Sequence, residues 1–242
     1  METCGGEGIM DSRTVETLTF RQGVVDCVPT LLGYLSIGFA AGVIEATAGM
    51  SLLEIGLLSL FLYAGSAQFI TAGMVMAGAP VASVVATVLI VNLRHLLMSA
   101  ALAPKFAGHS PLKNFLIGAQ LTDETFGVAS GRLKGGESGA DRWMFGLNVT
   151  AHANWIVANV LGALLGGWIA DPERYGLHYA LPAMFIGLAA MIVTQRKQYK
   201  RDLLVIGCAA GGFALASLWL PGHLAVMTAA VLAAVAGAVT ER

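Results

Sequence analysis

Between Pro80 and Pro104 the chain is almost wholly apolar, yet it carries Asn92, Arg94 and His95 just past the middle of the run. About 20 helical residues at roughly 1.5 Å each cover the hydrocarbon core of a bilayer, so this stretch is long enough to cross one. An arginine at that depth costs about 2.5–3.5 kcal/mol on insertion scales, so it must face protein or water rather than lipid. Such a group is typically kept to bind or move something polar. Composition supports a bilayer setting: 56% of residues are hydrophobic and only 12% are charged, where soluble domains run near 25%. Mean hydropathy is +0.72. The net charge of −1 gives no footprint for nucleic acid.

Taken in order, residues 1–27 are polar and lack the basic start and apolar core of a signal peptide. Met10 is an alternative start, and Thr14 to Val25 reads as a short interfacial amphipathic helix. Residues 28–242 read as a single transmembrane domain. Its first span runs from about Val28 to Ala48, with Pro29 at the start, a Gly38-xxx-Gly42 pair and Glu45 near the far end. The second, Leu52 to Gly78, is long and has small residues plus Gln68 at its middle. It is either a helix break that exposes backbone to a cargo or a tight crossing with one bonded glutamine. The third is the opening stretch. The fourth, Asn114 to Arg132, carries Asp123 and Glu124 at its centre, so it either crosses beside a wet cavity or re-enters. The fifth, Trp143 to Ala170, holds Asn148, His152, Asn154 and Gly162-xxx-Gly166. The sixth, seventh and eighth are Leu177–Thr194, Leu203–Leu220 and Gly222–Val239.

This is an all-α, polytopic inner-membrane helix bundle of about eight crossings, or seven if the fourth segment re-enters. Loop lysines and arginines divide ten to three under either count, so they do not choose between them. Both counts put the Arg196–Arg201 cluster and the C-terminus in the cytoplasm. The three cysteines are scattered, without metal or disulfide spacing. No phosphate loop, G-x-S-x-G or H-E-x-x-H is present, so the sequence points to no enzyme and no bound cofactor. A transporter of this kind is driven by an ion gradient or an energised partner.

The intramembrane polar groups suit a zwitterion. Arg94 can fork a carboxylate, Asp123 or Glu124 can hold an ammonium or a proton, and His95 can relay a proton. Gln68 and Asn92 complete the candidate path, with Ser66, His152 and Asn154 behind them. The bland alternative is an Arg94–Asp123 pair that only holds the bundle together. Asn92 and His95 share a helix face while Arg94 lies about 160° from Asn92. Either one of the three is structural, or the helix is unwound there. Asn148 and His152 share a face and fit helix–helix hydrogen bonds. Two rivals come from other classes: a structural membrane subunit whose partner holds the pathway, and a channel for another small polar solute.

Six pieces resemble the AzlC family, the large subunit of bacterial branched-chain amino acid exporters. They are F-R-Q-G-V-V-D-C-V-P (Phe20–Pro29), G-Y-L-S-I-G-F-A-A-G (Gly33–Gly42), Y-A-G-S-A-Q-F (Tyr63–Phe69), N-L-R-H-L-L-M (Asn92–Met98), L-T-D-E-T-F (Leu121–Phe126) and G-L-H-Y-A-L-P-A-M-F (Gly176–Phe185). Departures fall at Ser36, where the family often has proline, and at His178, where it often has an acid. The resemblance implies secondary export of valine, leucine, isoleucine and often methionine across the bacterial cytoplasmic membrane. It also implies a small hydrophobic AzlD-type partner subunit. A proton is the expected coupling ion.

Overall fold

The computed structural model describes residues 17–135, 137–166, 168–169, 174–179, 182–183, 186–187, 189–190, 193–194, 197–220 and 222–240. Several residues of the sixth apolar segment, part of the Arg196–Arg201 cluster and the first three residues of the proposed interfacial helix lie outside them. The chain divides into two compact units, Met1–Met184 and Phe185–Arg242. In the first unit the helices are α1 (Phe20–Thr47), α2 (Leu52–Phe61), α3 (Gly65–Met76), α4 (Val81–Leu102), α5 (Pro111–Ala119), α6 (Asp123–Arg132) and α7 (Ala140–Gly166). In the second they are α8 (Tyr199–Ala216) and α9 (Gly222–Val239), which pack antiparallel, with Arg201 donating to the Gly237 carbonyl at 3.1 Å.

The helix α1 begins eight residues before the sequence-based boundary. Thr19 caps it reciprocally with Gln22, a capping box that fixes the start. Thr17–Thr19 are extended rather than helical, because the Leu18 amide bonds the Ser138 carbonyl at 2.7 Å. Pro29 therefore lies inside α1 and not at its start. The helix accommodates it by giving up one backbone donor.

The α1 and α7 helices run parallel in close contact. A methyl carbon built at Gly23 would lie 1.9 Å from the Trp143 carbonyl oxygen, and one at Gly42 2.0 Å from that of Asn159. From the other side, Gly146 and Gly162 meet the carbonyls of Phe20 and Phe39 at 2.1 Å each. Without side chains at these points the two backbones touch, as small-residue interfaces in membranes do.

Call the end where α1 starts the near end. The second apolar segment breaks at residues 62–64, where Tyr63 takes a left-handed φ of 41°. It does not cross. The helix α2 runs inward from the far end, and Tyr63 stacks on His152, mid-way along α7, at 4.0 Å between ring centroids. The chain then reverses: Gly65 packs on Trp155, and Gln68 reaches Asn159 and Glu45. By Thr71 it again shares a groove with Met50 and Val84 at the far end. The α2–α3 pair is a hairpin that re-enters (hairpin 1). The crossing assigned to Leu52–Gly78 is thus corrected, because hydropathy does not separate two half-length arms from one long span.

The fourth segment is a second hairpin, from the opposite end. The α5 helix leaves the near end, where Lys113 pairs with Asp141 at 2.7 Å. The chain turns at residues 120–122, and α6 returns until Arg132 lies 3.7 Å from Asp26 and Lys105 donates to the Leu133 carbonyl. The re-entrant alternative is therefore the one realised for Asn114–Arg132 (hairpin 2). Among the described residues, three helices are long and apolar enough to cross a membrane: α1, α4 with the 3₁₀ turn after it, and α7.

Broken helices leave carbonyls without partners at the breaks. Asn148 donates to the Ile117 carbonyl near the end of α5 at 3.2 Å, and His152 meets the Ser59 carbonyl near the end of α2 at 3.2 Å. One face of α7 thus satisfies both breaks. That is how non-helical backbone is tolerated away from water.

Candidate functional site

The two hairpin tips meet. Tyr63, Ala64 and Gly65 from hairpin 1 and Thr122, Asp123 and Glu124 from hairpin 2 line one small cavity. Tyr34 of α1, Arg94 and His95 of α4 and Trp155 of α7 close it. Its volume is about 10 Å³, close to the least that holds one water. The site is therefore occluded in this state.

Arg94 ties the parts together. Its guanidinium pairs with Asp123 at 2.7 Å and donates to the Ser66 hydroxyl at 2.7 Å. The α4 cation thereby bridges both hairpins. The arginine and the carboxylate remain about a fifth exposed, at 24% and 21%. Behind Asp123, Thr122 and Thr125 form the capping box of α6, and the Tyr34 hydroxyl bonds that of Thr122.

The start of α3 differs. Its N-cap is Ala64, which offers no side-chain acceptor to the first-turn amides. A helix start carries partial positive charge and unsatisfied N–H groups. Here it opens on the cavity a few residues from the Arg94–Ser66 bond. The Tyr63 hydroxyl is buried beside those of Tyr34 and Thr122 and makes no hydrogen bond of good geometry. The cavity thus presents a cation, an uncapped helix start, a spare hydroxyl and two carboxylates.

Of the residues singled out in the sequence, Arg94, His95, Asp123 and Glu124 line the cavity, and Ser66 joins them through Arg94. Helix α4 is continuous over Val81–Leu102, so no unwinding brings all three α4 residues together. Asn92 is the one set aside: it is absent from the lining, and its buried side-chain oxygen has no partner. Gln68 lies in an adjacent cluster. Its Nε2 donates to Glu45 at 2.9 Å and lies 3.3 Å from both Ser59 Oγ and Asn159 Oδ1, while its Oε1 accepts from Trp155 Nε1 at 2.7 Å. Asn154 donates to the Leu31 carbonyl at 3.0 Å and fastens α7 to α1. His152 stands behind Tyr63.

Sequence reasoning overlooked Tyr34, Tyr63 and Thr122 as lining residues. Isolated tyrosines and threonines in apolar runs are common, and only the meeting of two breaks gives these three a shared cavity. The Tyr-Ala-Gly and Leu-Thr-Asp pieces were visible as motifs, and both prove to be hairpin tips.

Comparison with known proteins places this geometry. The family model described as AzlC protein matches residues 29–169, more than half of the chain. Among curated relatives, the inner membrane protein YgaZ of Escherichia coli is 28% identical over 198 residues, covering 80% of this chain and 81% of its own. A membrane protein of Helicobacter pylori is 30% identical over 183 residues, 75% of this chain and 76% of its own. The branched-chain amino acid transport protein AzlC of Bacillus subtilis is 25% identical over 224 residues, 93% of this chain and 85% of its own. No solved structure matches.

Proposed function

The chain belongs to the AzlC family, and from that premise we propose that it is the substrate-carrying subunit of a secondary transporter that exports branched-chain amino acids. Membrane transport is the role that the name of the Bacillus subtilis relative carries. The cargo, the direction and the coupling are our own reading. The observation that carries it is the Arg94–Asp123 pair, held at 2.7 Å where two re-entrant tips meet.

An amino acid is itself an ion pair. Inserted between Arg94 and Asp123, its carboxylate takes the guanidinium and its ammonium takes the acid. No charge is left unpaired, which is the condition for bearing charges out of water. The uncapped start of α3, beside the Arg94–Ser66 bond, adds donors on the carboxylate side. Glu124 and His95 flank the ammonium side and the route of a proton. Trp155 and the Ala64 side chain supply apolar wall for an aliphatic side chain. A cavity of about 10 Å³ does not hold leucine, so loading requires a hairpin tip to withdraw, as gates of transporters do. We assign a small hydrophobic AzlD-type subunit as partner and the proton as coupling ion. The setting is the bacterial cytoplasmic membrane, with the C-terminus in the cytoplasm.

The test is uptake of labelled leucine, valine and methionine into inside-out vesicles under an imposed proton gradient, with and without the partner. Arg94→Ala and Asp123→Asn each remove one side of the clamp. Losing one member of a buried, hydrogen-bonded charge pair costs about 2–5 kcal/mol, or affinity about 30-fold or more. Both variants should insert normally and lose saturable uptake. Normal transport by both refutes the assignment.

A further inference from the structure

The site above leaves one deeply buried acid unused. Glu45, in the last turn of α1, is 0% exposed. Its Oε1 accepts from Gln68 Nε2 at 2.9 Å, and its Oε2 has no hydrogen-bond partner. Resting on the transport reading above, we infer that Glu45 is the proton-carrying carboxyl of the cycle, and that exchange of its proton with water is tied to the undocking of hairpin 1.

The surroundings of Glu45 argue for a neutral acid in this state. The groups that meet it are uncharged: Gln68 from α3, with Ser59 from α2 and Asn159 from α7 around the same amide. The titratable side chain joined to this cluster is His152, through the Ser59 carbonyl. Glu54, at the start of α2, is exposed and bonded to Ser51. No lysine or arginine pairs with Glu45 among the described residues. An ionised carboxylate here would be a buried charge without a counter-charge. A protonated one carries no charge and still accepts from Gln68 through Oε1. Three oxygens, Glu45 Oε1, Ser59 Oγ and Asn159 Oδ1, crowd the Gln68 NH₂, which has only two hydrogens.

The same geometry disfavours a metal cation. The point where the three oxygens converge is filled by an amide nitrogen. Its orientation is fixed from the other side, because Trp155 Nε1–H donates to Gln68 Oε1. Asn159 is held in turn, donating to the Trp155 carbonyl at 2.9 Å. A sodium ion would require all of these to turn.

The placement supplies the coupling. Ser59 and Gln68 are the two arms of hairpin 1, whereas Glu45 and Asn159 belong to the α1–α7 pair on which it docks. The cluster is a clasp between the two. Hairpin 1 enters and leaves at the far end, where α1 ends, so its withdrawal opens Glu45 to water from that side. The carboxyl then exchanges its proton with that water: released, it leaves a hydrated carboxylate, and a proton taken up restores the neutral acid before the hairpin redocks. Trp155 touches both sites: its N–H holds Gln68, and its ring packs on Gly65 and lines the substrate cavity. One motion thus uncovers the proton site and the substrate site together.

The experiment uses the full chain with its partner in proteoliposomes. Glu45→Gln keeps the shape and the hydrogen bonds and cannot release a proton. It should abolish leucine accumulation driven by a pH gradient while leaving leucine counterflow, which needs no net proton movement, within twofold of the original. An infrared carbonyl band of a protonated carboxylic acid should be present in the original protein and missing in E45Q. Dicyclohexylcarbodiimide, which attacks protonated carboxyls in apolar surroundings, should modify Glu45 of the original protein, read by mass spectrometry. The inference is overturned if E45Q still accumulates leucine on a pH gradient, or if a sodium gradient drives the original protein instead. It is equally overturned if the band is unchanged in E45Q or Glu45 goes unmodified. The last two readouts need no substrate. Should the original protein move no amino acid, the cargo reading fails, and the band and the label still decide the proton site.

Discussion

Replacing Gly42 by alanine tests whether the α1–α7 contact is as close as it appears in the fold and whether the site depends on it. A methyl carbon there would lie 2.0 Å from the Asn159 carbonyl oxygen and 2.8 Å from its carbon. A carbon–oxygen contact settles near 3.3 Å at closest, so the helices must part by roughly 1.3 Å. The obstacle is backbone, which cannot rotate away as a flexible side chain would. Overpacking a close interface costs about 1–3 kcal/mol. The upper half of that range applies here, less the roughly 1 kcal/mol that alanine gains over glycine in a helix. The net expectation is a loss of about 1–2 kcal/mol. Gly56, on α2, has nothing within 4 Å of the same position, so Gly56→Ala keeps the helical gain and meets no obstacle. Thermal unfolding of the two variants in detergent, followed by tryptophan fluorescence, should move in opposite directions. Because Asn159 belongs to the Gln68 cluster, G42A should also slow transport, and G56A should not. A G42A protein at least as stable as the original would refute the backbone contact.

Other substitutions separate the supports of the two hairpins. Asn148→Ala leaves the Ile117 carbonyl without its side-chain donor, at a cost of about 1–3 kcal/mol; the loss should show as faster amide exchange confined to hairpin 2. Thr122→Ala removes the capping box of α6 and the partner of the Tyr34 hydroxyl. It should cost about 0.5–2 kcal/mol in thermal stability and weaken substrate affinity through Asp123. Trp143→Phe removes the indole donor to Asp26, a bond of 2.8 Å. As a hydrogen bond to a charged group it should be worth about 1.5–3 kcal/mol, read in the same unfolding assay, with saturable transport retained.

The sequence already carries the helical class, the ends of the third and fifth segments, and the polar residues that line the cavity. Arg94, His95, Asp123 and Glu124 stand out because charge in an apolar run is costly and therefore conspicuous. The small-residue pairs at Gly38/Gly42 and Gly162/Gly166 point to close packing, and α1 and α7 do meet there. The path of hairpin 1 is not legible. Two apolar arms of about 15 Å each have the hydropathy of one span of 30 Å, and no charged residue marks the turn at residues 62–64. The glutamine cluster is obscured for another reason. Glu45, Ser59, Gln68 and Asn159 come from four helices, and each alone looks like an ordinary polar residue in a membrane helix. Their meaning comes from convergence, which spacing along one helix does not encode.

The two hairpins also bear on an orientation that loop counting left open. If the fourth segment crossed, Lys105 and Lys113 would lie opposite Arg132, Lys134 and Arg142. In the fold α6 returns, so Lys105 caps Leu133 and Lys113 meets Asp141 at the same end as the Arg132–Asp26 pair. Hairpin 1 returns as well, which keeps Arg21, at the start of α1, at this end too. Connections 48–51 and 77–80, at the far end, contain no lysine or arginine. Positive residues mark the cytoplasmic side, so the near end is expected to face the cytoplasm and the tip of hairpin 1 to be reached from outside. In a background with Cys4, Cys27 and Cys208 replaced by serine, Ala77→Cys should react with a membrane-impermeant thiol reagent on intact cells. Ser138→Cys should react only after permeabilisation. The reverse pattern would overturn the orientation and spare hairpin 2. Labelling of both positions from the same side would overturn hairpin 2, because residues 77 and 138 are separated by α4 as a crossing helix and by a hairpin 2 that adds none.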